Sequence, residues 1–145
     1  MNVCEARELL DRALALGLDG ATRYAEGYAI ETLAARWNGI GPESMKPEAR
    51  KKLNKWLKLY KPACFIHDQD FAESDGTGKG FSRANDRLEY NCRIIAKDKY
   101  PRWYDPRRYF ALRGAGLVAD ACRVAGWSAW QEAYVKATSK NWPTN

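Results

Sequence analysis

The sequence predicts an all-α domain. Apolar residues recur at helical spacing along the chain. No alternating apolar–polar stretch runs longer than a few residues. Glycine and proline punctuate the chain at intervals of about one helix. A length of 145 residues and a mass of 16.5 kDa suit a single domain over 1–145. Hydrophobic residues at 46% and charged residues at 29% exclude a disordered chain. The 24 Lys+Arg against 18 Asp+Glu leave a net charge of +6, which favours anionic partners such as nucleic acid or a lipid surface. One histidine rules out a multi-His metal site within one chain. Cys4, Cys64, Cys92 and Cys122 form no C-x-x-C pair, which argues against structural zinc. Two disulfides and four free thiols are both consistent with the count.

The elements follow in order. Val3 to Leu16 places Leu9, Leu10, Ala13 and Leu14 on one face, and Gly17 offers a stop. Ala21 to Trp37 is a second helix, weakened by Gly27 in its interior. A turn follows, Asn38-Gly39-Ile40-Gly41-Pro42. Pro47 to Tyr60 reads as a helix with proline in its first turn and a basic face of Arg50, Lys51, Lys52, Lys55 and Lys58. Pro62 opens a helix carrying Cys64, His67, Asp68 and Phe71. Ser74 to Gly80 is a loop by composition, and Ser82 is placed to cap a helix from Arg83 to Ala96. Pro101 and Pro106 bracket an aromatic, basic connection from Tyr100 to Tyr109. Helices over Arg107–Val124 and Gly126–Thr138 complete the chain. Nothing approaches the ~20 apolar residues of a membrane span. Glu5, Arg7, Glu8, Asp11, Arg12 and Asp19 interrupt any apolar run of a secretory signal, so the protein is expected to stay where it is made, to leave by another route or to be a processed form.

The single histidine is followed at once by an aspartate. On a helix, positions 64, 67, 68 and 71 share one face, so an imidazole stands beside a carboxylate, between a thiol and a phenyl ring. Histidine is the usual general base near neutral pH, and aspartate is a hard oxygen ligand suited to calcium. A solvated His–Asp pair on a helix surface is the plainer reading. Upstream, the glycines of Trp37-Asn38-Gly39-Ile40-Gly41 can aim several carbonyls at one point. Downstream, Asp86 stands on the next helix. A short loop makes the two helices antiparallel neighbours, so Asp86 could reach the His67 ring and fix its tautomer.

These segments resemble the secreted phospholipase A2 superfamily, which carries W/Y-x-G-x-G in a calcium loop, then C-x-x-H-D-x-x-Y on one helix, then an aspartate on the antiparallel helix. The match covers Trp37 to Cys92 and divides the domain into N-terminal helices over 1–36, a motif-bearing core over about 37–92 and C-terminal helices over 93–145. The short interhelical loop is similar to that of compact, disulfide-poor members, including a viral-capsid type. The resemblance implies calcium-dependent hydrolysis of the sn-2 ester of glycerophospholipids. His67 would be the general base and Asp86 would orient it. Asp68 and the carbonyls of Trp37, Gly39 and Gly41 would bind Ca2+, and the Gly39 N–H would stabilise the oxyanion. Phe71 replaces the family's tyrosine, Asn38 a frequent loop cysteine and Ala63 another cysteine. These departures keep a second reading open, a catalytically inactive module on the same scaffold that binds anionic lipid or a protein partner. A calcium-dependent lipase without a signal sequence would fit delivery in a virion or by a dedicated secretion system.

Gly76-Thr77-Gly78-Lys79-Gly80 lacks the phosphate-loop pattern, and Asp75 to Asp86 fits a calcium loop less well than a plain loop. Asp70, Glu73 and Asp75 read as a solvated helix end. The basic helix with Trp56, and Arg102, Trp103, Tyr104, Arg107, Arg108 and Tyr109, suit an anionic membrane interface. They also suit nucleic-acid contact with stacking, which leaves a small basic nucleic-acid binder as a third reading, and a solvated face remains the plainer account. Trp127 and Trp130 are expected in the core.

Overall fold

The computed structural model describes residues 1–37 and 46–139. Among them it contains eight α-helices and no strand, so the all-α expectation holds. Helix α1 spans Val3–Ala15. Asn2 caps it by accepting the Glu5 N–H at 2.8 Å, and Gly17 ends it in the left-handed region at φ 65°. The single helix expected over Ala21–Trp37 is two, α2 (Ala21–Gly27) and α3 (Ile30–Ala35), because Tyr28 turns to extended backbone just after Gly27. Helix α4 (Pro47–Leu59) is the basic one, with only Leu57 fully buried.

Helix α5 (Lys61–Ala72) is the axle of the fold. Only Lys61, Asp68 and Ala72 of its twelve residues escape full burial. It is enclosed on nearly every side, its polar His67, Gln69 and Asp70 included, and α1, α2, α4, α6 and α8 all pack against it. Helix α6 (Gly78–Lys99) starts before the predicted Arg83. Thr77, not Ser82, is the cap. Its hydroxyl accepts the Gly80 N–H at 3.0 Å, while Asp75 accepts the Thr77 N–H at 2.9 Å. Two successive side-chain caps turn the glycine-rich stretch into a helix start, which composition alone does not reveal.

Helices α5 and α6 run antiparallel, with Phe71 near Phe81, His67 bonded to Asn85, and Cys64 near Cys92. Helix α7 (Pro106–Ala125) returns along α6, with Asp105 capping it through the Arg107 N–H. Gly114 lets α7 meet α4, since a Cβ there would overlap the Trp56 indole. Helix α8 (Trp127–Ser139) closes the far end of α5. Its Trp130 is buried among Phe71, Phe81 and Ala84 in a second, smaller cluster, whereas Trp127 is half exposed, against the expectation that both lie in the core. All four cysteines are free thiols. No helix among the described residues is long and apolar enough to cross a membrane.

Candidate functional site

His67 lies in the middle of α5, 7% exposed, so it is a core histidine and not half of a solvated pair. Its Nε2 is 2.9 Å from Asn85 Oδ1. The Asn85 amide nitrogen donates to the Phe81 carbonyl at 3.0 Å, so its oxygen faces the ring. An amide oxygen accepts only, which assigns the proton to Nε2 and leaves Nδ1 as the acceptor of the neutral ring. Burial lowers the His67 pKa to about 4, against a smaller raising effect of the Asn85 bond, so the ring is neutral at physiological pH. Phe71 lies 4.4 Å away, ring centroid to centroid.

Asp86 does not make the expected contact. Its side chain is 70% exposed and accepts from Arg123 at 2.9 Å on α7, where Arg123 also binds Glu89 and Asp120. One residue on a helix is a turn of about 100°. That step carries Asp86 off the α5 side and puts Asn85 there. The antiparallel pairing was legible in the sequence; the register was off by one residue.

Asp68 is partly buried beside His67. It is close enough to Cys64 and Cys122 to add to the rise that burial imposes on both thiols. These thiols are protonated at neutral pH and are poor nucleophiles. The Trp37 ring meets the Phe65 ring at a tilt of 31°, 6.2 Å between centroids, one turn before Asp68 on α5. Gly39 and Gly41 lie outside the described residues. Among the described residues no group of three His, Cys, Asp or Glu side chains could hold a metal.

Asp70 was expected at a solvated helix end, yet it is 7% exposed. Tyr24 donates to its Oδ1 at 2.5 Å and Arg87 at 2.7 Å, and Arg87 also holds Asp19. Burial raises the Asp70 pKa against the lowering by Tyr24 and Arg87. Its Oδ2 is buried without a hydrogen-bond partner. The network borders a polar cavity of about 200 Å³ that Arg23, Glu73 and Arg83 also line. Glu73 is likewise tied down, by Arg23, Tyr28 and Arg36. The signal for Asp70 was in the sequence. It stands one turn after His67, and the apolar residues that flank this polar run in the sequence favour a buried helix, where a carboxylate must find partners.

Comparison with protein-family models, curated proteins and solved structures finds no match for this chain. The functional reading therefore rests on the residues themselves.

Proposed function

We propose that the protein is a calcium-dependent lipid hydrolase of the phospholipase A2 kind, in which His67 is the general base. The observation that carries this is the hydrogen bond from His67 to Asn85. It holds the ring from the antiparallel helix with the proton on Nε2, and a neutral Nδ1 is what water activation needs. Nδ1 takes a proton from water as the water oxygen bonds to the sn-2 ester carbonyl carbon. The tetrahedral adduct then expels the glycerol oxygen, which recovers the proton from the imidazolium. Fatty acid and lysophospholipid are the products. Asn85 keeps the ring from rotating during both transfers, and the Gly39 N–H would donate to the oxyanion. Asp68 with the carbonyls of Trp37, Gly39 and Gly41 would hold calcium, which when bound supplies a Lewis acid at the substrate phosphate and carbonyl.

The test is positional. Phospholipid labelled in one acyl chain at a time, in vesicles with calcium, should release label from sn-2 and retain it at sn-1. Release from both positions alike, or from neither, contradicts the assignment.

Asn85 also favours a second reading. A neutral amide stabilises an imidazolium less than a carboxylate does, and His67 is well buried. A non-enzymatic module that binds anionic lipid fits both facts. It predicts vesicle binding with no ester hydrolysis.

A further inference from the structure

A groove of about 510 Å³ runs between α1, the end of α4, the start of α5 and the C-terminal end of α6. That volume lies within the usual range of ligand sites, roughly 300–1,000 Å³. Its apolar floor is Leu9, Leu59, Pro62 and Trp56. Its rim is Arg12, Lys55, Lys58, Lys61 and Lys99, and among the described residues no acidic side chain lines it. Lys61 is paired with Glu5. Arg12, Lys58 and Lys99 have no ion pair among the described residues, and the Lys55 ammonium lies 5.1 Å from the Trp56 ring centre. Four cations thus surround an apolar trough without an internal counter-charge.

Tyr100 joins this groove to the connection between α6 and α7. Arg107 sits over the Tyr100 ring at 5.1 Å. Beyond it Trp103 is 83% exposed and Tyr104 63% exposed, on a connection that also carries Arg102. Their rings meet edge to face, at 88° and 5.7 Å. Two rings so crossed do not offer successive bases a common stacking direction, whereas both edges can settle at headgroup depth.

We infer that this groove and the adjoining Trp103–Tyr104 pair form a docking site for an anionic phospholipid surface. A lipid phosphate meets the cationic rim, the glycerol and upper acyl carbons lie along the apolar floor, and the two aromatic rings anchor the interface. The choice of a lipid occupant rests on the proposed function, but the site is separate from His67. Asn85 and Lys99 are fourteen residues apart on α6, about 21 Å of helix. Docking and hydrolysis are therefore separable by experiment.

The full chain is sedimented with vesicles of equal parts phosphatidylcholine and phosphatidylglycerol, and with phosphatidylcholine alone. The protein should partition to the anionic vesicles. Lys58→Ala and Lys99→Ala should each weaken partitioning roughly fivefold, as expected for one surface lysine near an anionic leaflet. Trp103→Ser should weaken it on both vesicle types. Arg50→Ala, on the same basic helix but away from the groove, should change it less than Lys58→Ala. Helicity by circular dichroism reports that each variant is folded. A His67→Ala protein should bind as wild type, so loss of hydrolysis alone leaves the docking site standing. Equal binding by wild type and the groove variants overturns the inference. So does displacement by inorganic phosphate at constant ionic strength, which would assign the groove to a free anion. Tighter binding to a single-stranded oligonucleotide than to anionic vesicles also overturns it.

Discussion

His67 Nε2 and Asn85 Oδ1 are 2.9 Å apart, deep between two antiparallel helices. The pair fixes the tautomer of the only histidine in the chain, and burial keeps that ring neutral. A carboxylate at the same place would hold the ring and draw it toward the imidazolium. The amide holds the ring and leaves it neutral.

His67 should therefore not titrate between pH 5 and 8 in the folded protein, as its pKa is lowered to about 4. The unfolded chain binds more protons than the native one between that value and the ordinary ~6.5. Stability should be fully present above about pH 6.5 and fall as pH drops through the window, by an amount on the order of 3 kcal/mol from this group. The Asn85→Asp variant should move the pKa back up and flatten that slope. Ring-proton chemical shifts against pH, with urea unfolding at pH 5 and 7.5, check both. A wild-type ring that protonates near pH 6.5 contradicts the burial argument.

Tyr24 and Asp70 predict a second effect. The Tyr24 hydroxyl donates to a carboxylate that is buried and has one oxygen unpartnered already. Tyr24→Phe should cost about 1.5–3 kcal/mol, the range for a hydrogen bond to a charged group. Urea unfolding measures it. The same change in an Asp70→Asn background should cost less, because the buried charge is gone.

How much of this could be read in advance depends on which interactions decide. Spacing and proline positions gave α1, α4, α5, α7 and α8 to within a residue or two, because an apolar stripe or an N-terminal proline marks each. The break after Gly27 and the early start of α6 at Gly78 were not visible. The first is a backbone turn at Tyr28. The second needs Thr77 and Asp75 to cap in series. In the site, the sequence brought α5 and the next helix together correctly. The expectation of a carboxylate that fixes the tautomer pointed to Asp86, whereas the helix register puts Asn85 against the ring. Asp70 and Glu73 were assigned to solvent because their partners, Tyr24, Arg23 and Arg87, stand 17 to 50 residues away.

Gly114 and Gly116 form a controlled pair on α7. A Cβ at Gly114 would overlap the Trp56 indole, while one at Gly116 meets nothing. Gly114→Ala should destabilise by about 1–3 kcal/mol through overpacking at the α4–α7 crossing. Gly116→Ala should be neutral or stabilise by up to about 1 kcal/mol through helix propensity. Thermal unfolding of the two variants side by side separates packing from propensity. Equal effects would place the α4–α7 contact elsewhere.

The most direct test of the central claim is fatty-acid release from anionic phospholipid vesicles, with calcium and with chelator, using wild type and His67→Ala in parallel. A base whose proton transfer contributes typically 10²–10⁴-fold sets the scale. The account predicts release by wild type with calcium, none above background with chelator, and a loss of at least about a hundredfold in His67→Ala. Full release by His67→Ala, or wild-type release that ignores the chelator, would contradict it.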